Sequence, residues 1–361
     1  MSSAWDLDGF RGRVQGRIDA EVTRQRGVLA ALGPDMANLV DPIAALLSGG
    51  KRFRAAFAQA GYVASGVVHE DRMLSVAAAL ELFQAAALLH DDVMDDSATR
   101  RGQTTAHRAL AAEHATRGWT GDGDRFGISG AILAGDLCLV WTDEMVAGSG
   151  LPPEELARAR AVFDVMRTQL MGGQFLDVLV SARGWDDLDT AARIAQAREV
   201  VRYKSAKYSV EHPVLIGAGA AGADPLATAR LSAYGLALGE AFQLRDDVLG
   251  VFGDPSTTGK PAGDDLREGK RTVLLALTLD GLDADGRATM RAGLGRADLA
   301  PQEVAQMRGL VHRSGALERH ETMIAELVET AATALAATPG LTDSGRAALA
   351  DLIDLTTARD S

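Results

Sequence analysis

The feature that most restricts the fold is a cluster of carboxylates at the end of an apolar segment. Residues 80–89 are rich in Ala, Leu, Glu, Phe and Gln, which favours helix over strand, and they run into the sequence HDDVMDD at 90–96. Asp91 and Asp95 are four residues apart, so a helix would place them on one face, about one turn apart. Carboxylates this close repel one another unless a positive partner joins them.

The spacing indicates a Mg²⁺ site. Mg²⁺ commonly takes one or two carboxylates and completes its octahedral shell with water and phosphate oxygens. Arg100 and Arg101 follow at once and would face an anion held by the metal. A second apolar segment, 231–242, leads into Asp246 and Asp247, with further Lys and Arg beyond. Two acidic helix faces, each followed by basic residues, predict a cavity that binds a polyphosphate through several Mg²⁺ ions.

Composition excludes several other classes. The chain has 361 residues, 47% of them apolar, enough to bury a large core. Its net charge of −12 argues against a nucleic-acid partner and against broad attraction to an anionic membrane surface. No run reaches about 18 uninterrupted apolar residues, which argues against stable membrane insertion. The start of the sequence lacks the basic and apolar regions of a secretory signal, so we expect a cytoplasmic protein.

Helical periodicity dominates the chain, and strand-like alternation of β-branched residues is scarce. No repeat of fixed period and no long linker divides it. We predict an all-α fold, a single domain of residues 1–361 in one large helical bundle. Residues 118–124 are expected to form a surface loop, and Pro213 to break a helix. Helices are expected at 8–32, 40–48, 52–66, 72–96, 103–115, 127–148, 153–180, 186–207, 209–219, 225–250, 270–280, 285–294, 301–315, 317–337 and 342–358.

Six sequence blocks, in order, resemble those of the polyprenyl synthetase family, the trans-isoprenyl diphosphate synthases. The blocks lie at 49–54, 90–102, 173–177, 203–206, 242–247 and 258–272. The resemblance implies a helical bundle around a deep central cavity, and a homodimer. It also implies a reaction in which an allylic diphosphate loses pyrophosphate, isopentenyl diphosphate attacks the allylic cation, and a proton is lost. About three Mg²⁺ ions would stabilise the charge on the leaving group.

The resemblance also implies roles for individual residues. The metal ligands would be Asp91, Asp95, Asp246 and Asp247. The allylic diphosphate would be bound by Arg100, Lys204 and Lys260, with Ser205 and Gln243 near the nascent cation. Isopentenyl diphosphate would be bound by Lys51, Arg54 and Arg101 beside Gln84, and Lys270 would support a closing lid. Asp136 and Asp177 also interrupt apolar segments, and a structural role is open for both.

The second acidic motif departs from the family pattern. Many relatives carry an acid one turn after the residue equivalent to Asp246, but this chain has Gly250 there. Either metal affinity on that side is weaker, or Asp247 and water complete the metal shell. Ser205 replaces the commoner Thr and keeps its hydroxyl group.

Product length depends on the residues just before Asp91. Ala86 and Ala87 occupy the fifth and fourth positions upstream, and their small side chains argue against an early stop at C15. Phe83, about 12 Å from Asp91 along the helix axis, would form a deeper floor. We therefore expect geranylgeranyl diphosphate (C20), with farnesyl diphosphate (C15) and longer polyprenyl diphosphates as alternatives. Replacing Ala86 or Ala87 with Phe should shorten the product.

Three other classes are weighed against this one. An HD-type phosphohydrolase would use His69 with His90 and Asp91, but it leaves the second acidic pair and the basic blocks unexplained. A class I terpene cyclase shares an acidic helix but handles one diphosphate, whereas the chain has a separate basic set. An inert partner subunit of a related synthase would be expected to lack the acidic pairs, and Gly250 is the one feature that favours it.

Overall fold

A computed structural model of the chain describes residues 5–67, 70–185, 187–254 and 263–357, and these are almost entirely helical. The described α-helices are α1 Leu7–Leu29, α2 Ala37–Leu47, α3 Phe53–Ala64, α4 Leu74–Met94, α5 Ala106–Thr116, α6 Gly123–Ala147, α7 Pro153–Arg183, α8 Thr190–Val200, α9 His212–Ala221, α10 Pro225–Phe252, α11 Asp264–Glu268, α12 Val273–Gly281, α13 Ala284–Gly293, α14 Pro301–Arg313, α15 Ala316–Ala336 and α16 Asp343–Thr357. Short 3₁₀ turns occur at Ala30–Leu32, Pro34–Met36 and Glu70–Met73. The prediction of an all-α fold is confirmed.

The central helix of the bundle is α4, which packs against α1, α3 and α6. Its middle is a series of fully buried alanines, including Ala77, Ala78 and Ala79. Small side chains let neighbouring helices approach closely on several sides at once. The charged residues of α4 are concentrated at its C-terminal end, so the helix holds them beside the apolar core.

Two clusters of buried apolar residues form the core. The first contains most of α3, a large part of α4, one face of α1 and parts of α2, α6, α7, α9, α10 and α16. The second is built on α12 to α15 and the end of α10. Leu327 and Val328 of α15 pack against both clusters. The single domain of residues 1–361 stays a prediction.

An unusual helical segment joins α8 to α9. Val201–Glu211 forms a π-helix, so residues 190–221 follow one continuous path instead of the two helices expected at 186–207 and 209–219. Pro213 does not break this path, although it lies just after the junction between the π-helix and α9. π-Helix is rare and is frequently found at functional sites.

Two glycines let the neighbouring helices reach the backbone of this π-helix. A Cβ atom on Gly173 of α7 would lie 2.4 Å from the carbonyl carbon of Tyr203. A Cβ atom on Gly239 of α10 would lie 2.5 Å from the carbonyl oxygen of Ala206. Real Cβ atoms do not approach backbone this closely, so α7 and α10 can pack here because these positions lack a side chain.

Several expected boundaries are wrong. The helix expected at 103–115 begins only at Ala106, because a two-stranded antiparallel hairpin, β1 Thr99–Arg100 and β2 Gln103–Thr104, comes first. The loop expected at 118–124 ends early, since the Asp122 carboxylate accepts a hydrogen bond from the Arg125 N–H and caps α6. The short helix α11 was not expected, and α12 begins at Val273 instead of at residue 270.

Two segments of the described chain are long and apolar enough to cross a membrane, by length and composition alone. They are Asp71–Met94, which contains α4, and Gly123–Ala147, which is α6. In the most apolar part of the first, 67% of residues are buried, as expected for the central helix of a bundle. In the second, only 39% are buried, so α6 presents apolar side chains on the outside of the bundle.

Candidate active site

The first acidic wall is the C-terminal end of α4. Asp91 and Asp95 are half-buried on one face, and Asp92 is buried at 3% exposure. The helix ends at Met94 with Asp95 as its C-cap, so these carboxylates lie where the helix dipole is negative. Anions are disfavoured at that end, which means that cations must compensate them.

Three cationic side chains act on Asp91. The Lys204 Nζ atom lies 3.1 Å from Asp91 Oδ1 and donates a hydrogen bond to it, and Arg100 Nη2 lies 3.5 Å from Oδ2. Gln174 Nε2 donates a further bond to Oδ1 at 3.0 Å. Burial alone would raise the pKa of Asp91, but the charges of Lys204, Arg100 and Lys270 outweigh it and lower the pKa to about 2.

The pKa of Asp95 is shifted in the opposite direction. Burial and the negative charge of Asp91 raise the pKa of Asp95 to about 6, and its Oδ2 atom is buried with no hydrogen-bond partner among the described residues. A buried carboxylate oxygen without a partner costs free energy that a bound cation would recover. Asp91 and Asp95 therefore provide the oxygen donors that suit Mg²⁺.

In the part of the chain that the structure describes, no three His, Cys, Asp or Glu side chains are close enough to form a metal site by themselves. This agrees with Mg²⁺ chemistry, because Mg²⁺ is usually bound by one or two carboxylates together with water and substrate phosphates. The donors fit a cation that arrives with a diphosphate.

The second acidic wall is on α10. Asp246 is exposed, and Asp247 is buried at 5% exposure. A hydrogen-bond chain leads to Asp247: Ser205 Oγ donates to Gln243 Oε1, and Gln243 Nε2 donates to Asp247 Oδ1 at 2.9 Å. Burial, together with the charge of Asp265, raises the pKa of Asp247 well above its usual range. Asp247 Oδ2 has no hydrogen-bond partner in the described residues.

The two walls share one chamber, and Lys270 lies between them. Its Nζ atom is 3.3 Å from Asp265 Oδ1 and 2.6 Å from Glu268 Oε2 on the side of α10. Its charge also favours the ionised forms of Asp91 and Asp95 on α4, although burial and Asp91 still raise the pKa of Asp95. The π-helix gives the direct link, because its neighbouring residues Lys204 and Ser205 donate hydrogen bonds to Asp91 of α4 and to Gln243 of α10.

The π-helix contributes Lys204 to this chamber. Lys204 Nζ bridges Asp91 of α4 and Asp177 of α7, and it lies 2.6 Å from Asp177 Oδ2. Burial would lower the pKa of Lys204, but Asp91 and Asp177 raise it, so the side chain is charged. A buried ammonium between two carboxylates is held in one place, which matters for a group that must meet a phosphate.

The hairpin after α4 fixes two arginines. Arg100 Nε donates to Asp92 Oδ1 at 2.6 Å, so the buried carboxylate of Asp92 orients this guanidinium beside Asp91. Arg101 has a φ of 52°, in the left-handed region. Non-glycine residues held in this conformation carry strain, and such residues cluster at functional sites.

Arg101 belongs to a second group of positive charges. A Cβ atom on Gly50 would lie 3.5 Å from Arg101 Nη1 and 3.8 Å from Arg52 Nη1, so these two guanidinium groups are side by side. Desolvation and the charges of nearby arginines lower the pKa of Arg101, against the opposing charge of Glu81. Glu81 offsets part of this positive charge, and a bound anion would offset more of it. The group is therefore suited to a second anion, separate from that at Asp91.

The side chains around this second group of positive charges make different contacts. Arg52, also left-handed with a φ of 51°, is buried and pairs with Glu81 at 3.5 Å, so it supports the bundle. Arg54 donates to Ser209 Oγ at 2.7 Å and lies over the ring of Tyr208. Arg54 Nε and Gln84 Oε1 are buried and have no partner among residues whose structure is described, so both are available to a ligand.

The residues predicted to limit product length lie before Asp91 on α4. Ala87, one turn from Asp91, is half-buried, whereas Ala86 is fully buried. Phe83 is buried in an aromatic cluster with Phe163 of α7 and Tyr208 of the π-helix, with ring centroids 6.0 Å and 6.3 Å away. Three rings from three helices pack together at this depth.

Most of the expected site residues lie around this chamber. Asp91, Asp95, Arg100, Lys204, Ser205, Gln243, Asp247 and Lys270 are linked by the contacts above. Lys51 lies beside Arg11, which donates to its carbonyl oxygen, and its Nζ atom is 5.9 Å from the ring centroid of Phe53. Lys260 lies outside the described residues. The individual roles of all these side chains stay predictions.

Sequence reasoning underestimated four residues: Asp92, Gln174, Asp177 and Asp265. Gln174 and Asp177 lie in a block that carries the family resemblance, and their spacing of three residues places both on one face of α7. That signal was present. Asp265 approaches α10 from a different helix, and no local pattern in the sequence predicts such a contact.

The structure separates His90 from Asp91. The His90 ring Nε2 lies 3.1 Å from the carbonyl oxygen of Ile132 and 3.5 Å from Asp136 Oδ1, so it faces α6. An HD-type phosphohydrolase would need the imidazole and Asp91 on one metal. His69, the other residue of that hypothesis, lies outside the described residues.

Comparison with known proteins agrees with this geometry. The polyprenyl synthetase family model matches residues 36–311. The chain is 31% identical to the geranylfarnesyl diphosphate synthase of Aeropyrum pernix, over 85% of this chain and 89% of that protein. It is 32% identical to the geranylgeranyl diphosphate synthase of Mycobacterium tuberculosis, over 80% of this chain and 75% of that protein.

A solved structure extends the comparison to the whole chain. Geranylgeranyl pyrophosphate synthase of Corynebacterium glutamicum, crystallised with isoprenyl diphosphate and magnesium, superimposes with a TM-score of 0.92 at 40% identity and covers 99% of this chain and 100% of that one. The chain belongs to the polyprenyl synthetase family and is a trans-prenyl diphosphate synthase. The predicted family and prenyltransferase class are confirmed, and the phosphohydrolase, cyclase and inert-subunit hypotheses are set aside.

Replacing Asp177 with Asn tests the bridge through Lys204. We expect kcat/KM to fall by about 10- to 100-fold, because supporting partners of this kind typically contribute that much. We also expect a larger effect on the KM for the allylic diphosphate than on that for isopentenyl diphosphate. Steady-state kinetics with each substrate varied in turn would measure both.

Asp136→Asn is the matched control, because Asp136 is also an acid in an apolar helix but its carboxylate is 56% exposed. Its kcat/KM should stay within about twofold of the unsubstituted protein. Equal losses in the two variants would show that Asp177 has no special role.

Proposed function

We propose that this prenyltransferase makes geranylgeranyl diphosphate (C20) by joining isopentenyl diphosphate to an allylic diphosphate, with release of pyrophosphate. The observation that carries the proposal is that the two acidic walls adjoin. Lys204 and Ser205, neighbours on the π-helix, bond Asp91 of α4 and Gln243 of α10, and the charge of Lys270 acts on both Asp91 and Asp247. A second group of arginines nearby supports a second diphosphate site. Two anion sites side by side suit a reaction that joins two diphosphates.

The metal that suits the acidic walls is Mg²⁺, which the Corynebacterium glutamicum structure also contains. Asp91, Asp95 and Asp246 would hold it through oxygen atoms alone, the ligands that Mg²⁺ prefers. When bound, Mg²⁺ neutralises negative charge on the departing pyrophosphate. From the family resemblance we propose about three ions for each site.

Lys204 and Arg100 supply the protein's own positive charge to the allylic diphosphate. Each is oriented by a carboxylate, Lys204 by Asp177 and Arg100 by Asp92. Because the two side chains are already held in place, little reorganisation is needed when charge develops on the leaving oxygen. We propose that Lys260 joins them.

Ser205 and Gln243 are proposed to lie beside the developing allylic cation. The Ser205 hydroxyl donates to Gln243 Oε1, which leaves the lone pairs of Oγ available to face a positive charge. Gln243 is held in turn by Asp247. Oriented dipoles of this kind stabilise a cation without reacting with it.

Isopentenyl diphosphate is proposed to bind at Arg101, Arg54 and Lys51. The buried, unpartnered Arg54 Nε atom supports this assignment, because this donor lacks an acceptor and a diphosphate oxygen can supply one. Gln84 is two turns below Asp91 on α4, so this site adjoins the first acidic wall.

The proposed C20 product follows from the distance along α4 between Asp91 and the aromatic cluster around Phe83. Ala87 leaves space one turn down, and the cluster of Phe83, Phe163 and Tyr208 closes the space about 12 Å down. Relatives of this chain include geranylgeranyl, geranylfarnesyl and nonaprenyl diphosphate synthases, so family membership alone leaves the length open.

The exposed apolar face of α6 and α7 supports a homodimer. Leu133 and Val140 of α6 are seven residues apart and 55% and 54% exposed. Met171, Phe175 and Val178 of α7 follow helical spacing, and Phe175 is 66% exposed. A stripe of this kind is typical of a surface that another protein covers. We propose that a second copy covers it, and that the dimer is cytoplasmic, with no stable membrane insertion.

The activity is tested with purified protein, Mg²⁺, radiolabelled isopentenyl diphosphate and C5, C10 or C15 allylic primers. We expect a C20 product from each primer, sized by chromatography, and none after chelation of the metal. Asp91→Ala should abolish turnover while far-ultraviolet circular dichroism is unchanged, because it removes the carboxylate on which Lys204 and Arg100 converge. Turnover that survives chelation would refute the metal-assisted mechanism.

Product length is tested at two depths. Ala87→Phe should shorten the main product from C20 to C15, because the ring fills the space one turn, about 5.4 Å, below Asp91. Phe83→Ala should lengthen it to C25 or beyond, because it opens the floor. Ala87→Ser is the control and should keep C20. A main product that stays at C20 in both Ala87→Phe and Phe83→Ala would contradict the proposal that Phe83 limits product length.

The dimer is tested by light scattering. Leu133→Asp with Phe175→Asp should convert a dimer to a monomer, because two charges would be buried in the interface. Val28→Asp, at a 60% exposed apolar residue of α1, is the control and should leave the mass unchanged. A monomeric unsubstituted protein would refute the proposal.

A further inference from the structure

The loop between α2 and α3 has an unusual backbone. It consists of residues 48–52, and Gly49, Gly50 and Arg52 have φ values of 81°, 110° and 51°. The left-handed region is ordinary for glycine but is disfavoured for arginine, because the Cβ atom crowds the backbone. A loop of this kind keeps its shape only where the surrounding structure holds it.

Two side chains of α1 bond to the backbone of this loop. Arg11 and Gln15 are four residues apart, so they lie on one face of α1, about one turn from each other. Arg11 Nε donates a hydrogen bond to the carbonyl oxygen of Lys51 at 3.0 Å. Gln15 Oε1 accepts a hydrogen bond from the Gly49 N–H at 3.3 Å. The loop is therefore bonded to α1 on both sides of Gly50.

Gln15 also holds the side chain of Arg52. Its Oε1 atom accepts a second hydrogen bond, from Arg52 Nη2, which uses both lone pairs of this oxygen. Arg52 Nη2 donates as well to the carbonyl oxygen of Leu47, at the end of α2. Arg52 is 5% exposed, so it is an internal support between Lys51 and Arg54, two of the residues proposed to bind isopentenyl diphosphate.

Arg101 meets the same loop from the hairpin. Arg101 Nη1 donates to the carbonyl oxygen of Leu46 at 3.2 Å, and a Cβ atom on Gly50 would lie 3.5 Å from this nitrogen. The end of α2, the loop and the hairpin therefore meet at Gly50. A shift of the loop would change the spacing of Lys51, Arg54 and Arg101 together.

We propose that Gln15, assisted by Arg11, is a positioning residue for isopentenyl diphosphate. The two side chains act through the 48–52 loop: they hold its left-handed conformation and so fix the spacing of the cations that bind the diphosphate. Cations that are already in place bind an anion more tightly, because less ordering is needed on binding. This inference rests on the proposed function, which assigns isopentenyl diphosphate to this group of cations.

The test compares the two substrates in one variant. Gln15→Leu keeps a side chain of similar size but removes the acceptor oxygen. The KM for isopentenyl diphosphate should rise about 10-fold, as is usual for the loss of a hydrogen bond to a charged group. The KM for the allylic diphosphate and kcat should stay within about twofold. Steady-state kinetics with each substrate varied in turn measures all three, and isothermal titration with isopentenyl diphosphate alone measures binding without turnover.

Gln15→Glu is the conservative variant, because it keeps an acceptor oxygen for Gly49 and Arg52. Its KM for isopentenyl diphosphate should stay within about threefold of the unsubstituted protein, since the like charge of Asp19, one turn away on an exposed face, costs little. Equal rises of the two KM values in Gln15→Leu would show that Gln15 only stabilises the bundle, and would overturn the inference. An unchanged KM for isopentenyl diphosphate in Gln15→Leu, or a Gln15→Glu variant as impaired as Gln15→Leu, would overturn it too.

A second pair of variants keeps the test independent of the folding of Gln15→Leu. Arg11→Ala should raise the KM for isopentenyl diphosphate about threefold and leave that for the allylic diphosphate unchanged, because it removes one hydrogen bond to a neutral carbonyl. Arg13→Ala is the matched control, since its ion pair with Asp71 is exposed, and both KM values should stay within about twofold. Equal effects of Arg11→Ala and Arg13→Ala would count against the inference alone. Failure of the unsubstituted protein to bind isopentenyl diphosphate would overturn the proposed function as well.

Discussion

The structure depends on how a buried group of carboxylates is compensated. Asp91 and Asp95 lie at the negative end of α4, where both desolvation and the helix dipole oppose their charges. Lys204, Arg100 and Lys270 converge on them from three other segments of the chain. Each cation thereby joins α4 to a different part of the bundle. The same side chains that compensate the buried carboxylates also form the site.

This balance is incomplete without a ligand. The pKa of Asp95 is raised to about 6, and carboxylate oxygens on both walls lack partners among the described residues. An arrangement of this kind is preorganised for a cation that brings its own anion, because the protein supplies oxygen atoms and separate positive charges at fixed places. The same features explain why no cluster of the described residues resembles a closed metal cage.

The sequence predicted the first wall well because all of its signals are local. Apolar periodicity predicted α4, and the spacing of Asp91 and Asp95 predicted their common face. The π-helix could not be predicted, since its change in hydrogen-bond register leaves no mark in composition. Asp177 was undervalued for the same reason: its function depends on where Lys204 emerges from the π-helix.

Gly250 shows the limit of motif reasoning most clearly. In the sequence motif, Gly250 stands where many relatives have an acid. In the structure, the carboxylate of Asp265 lies beside Gly250, where a side chain at this position would begin. A motif records which residues are close in sequence, whereas the chemistry depends on which oxygen atoms share a cavity. Active sites are therefore better compared by the positions and contacts of their side chains than by their motifs. The hydrogen bond from Arg100 of the hairpin to Asp92 of α4 is one such contact.

The central claim is that α4 and α10 hold the same metal-bound diphosphate. It is tested most directly by titrating inorganic pyrophosphate into the protein at saturating Mg²⁺, for Asp91→Asn, Asp246→Asn and the double variant. If both walls bind one ligand, each single change should weaken binding at least about 10-fold. The fold-loss in affinity of the double variant should then be much smaller than the product of the two single fold-losses. Two independent losses that simply multiply would show that the walls do not share the ligand, and would contradict the account.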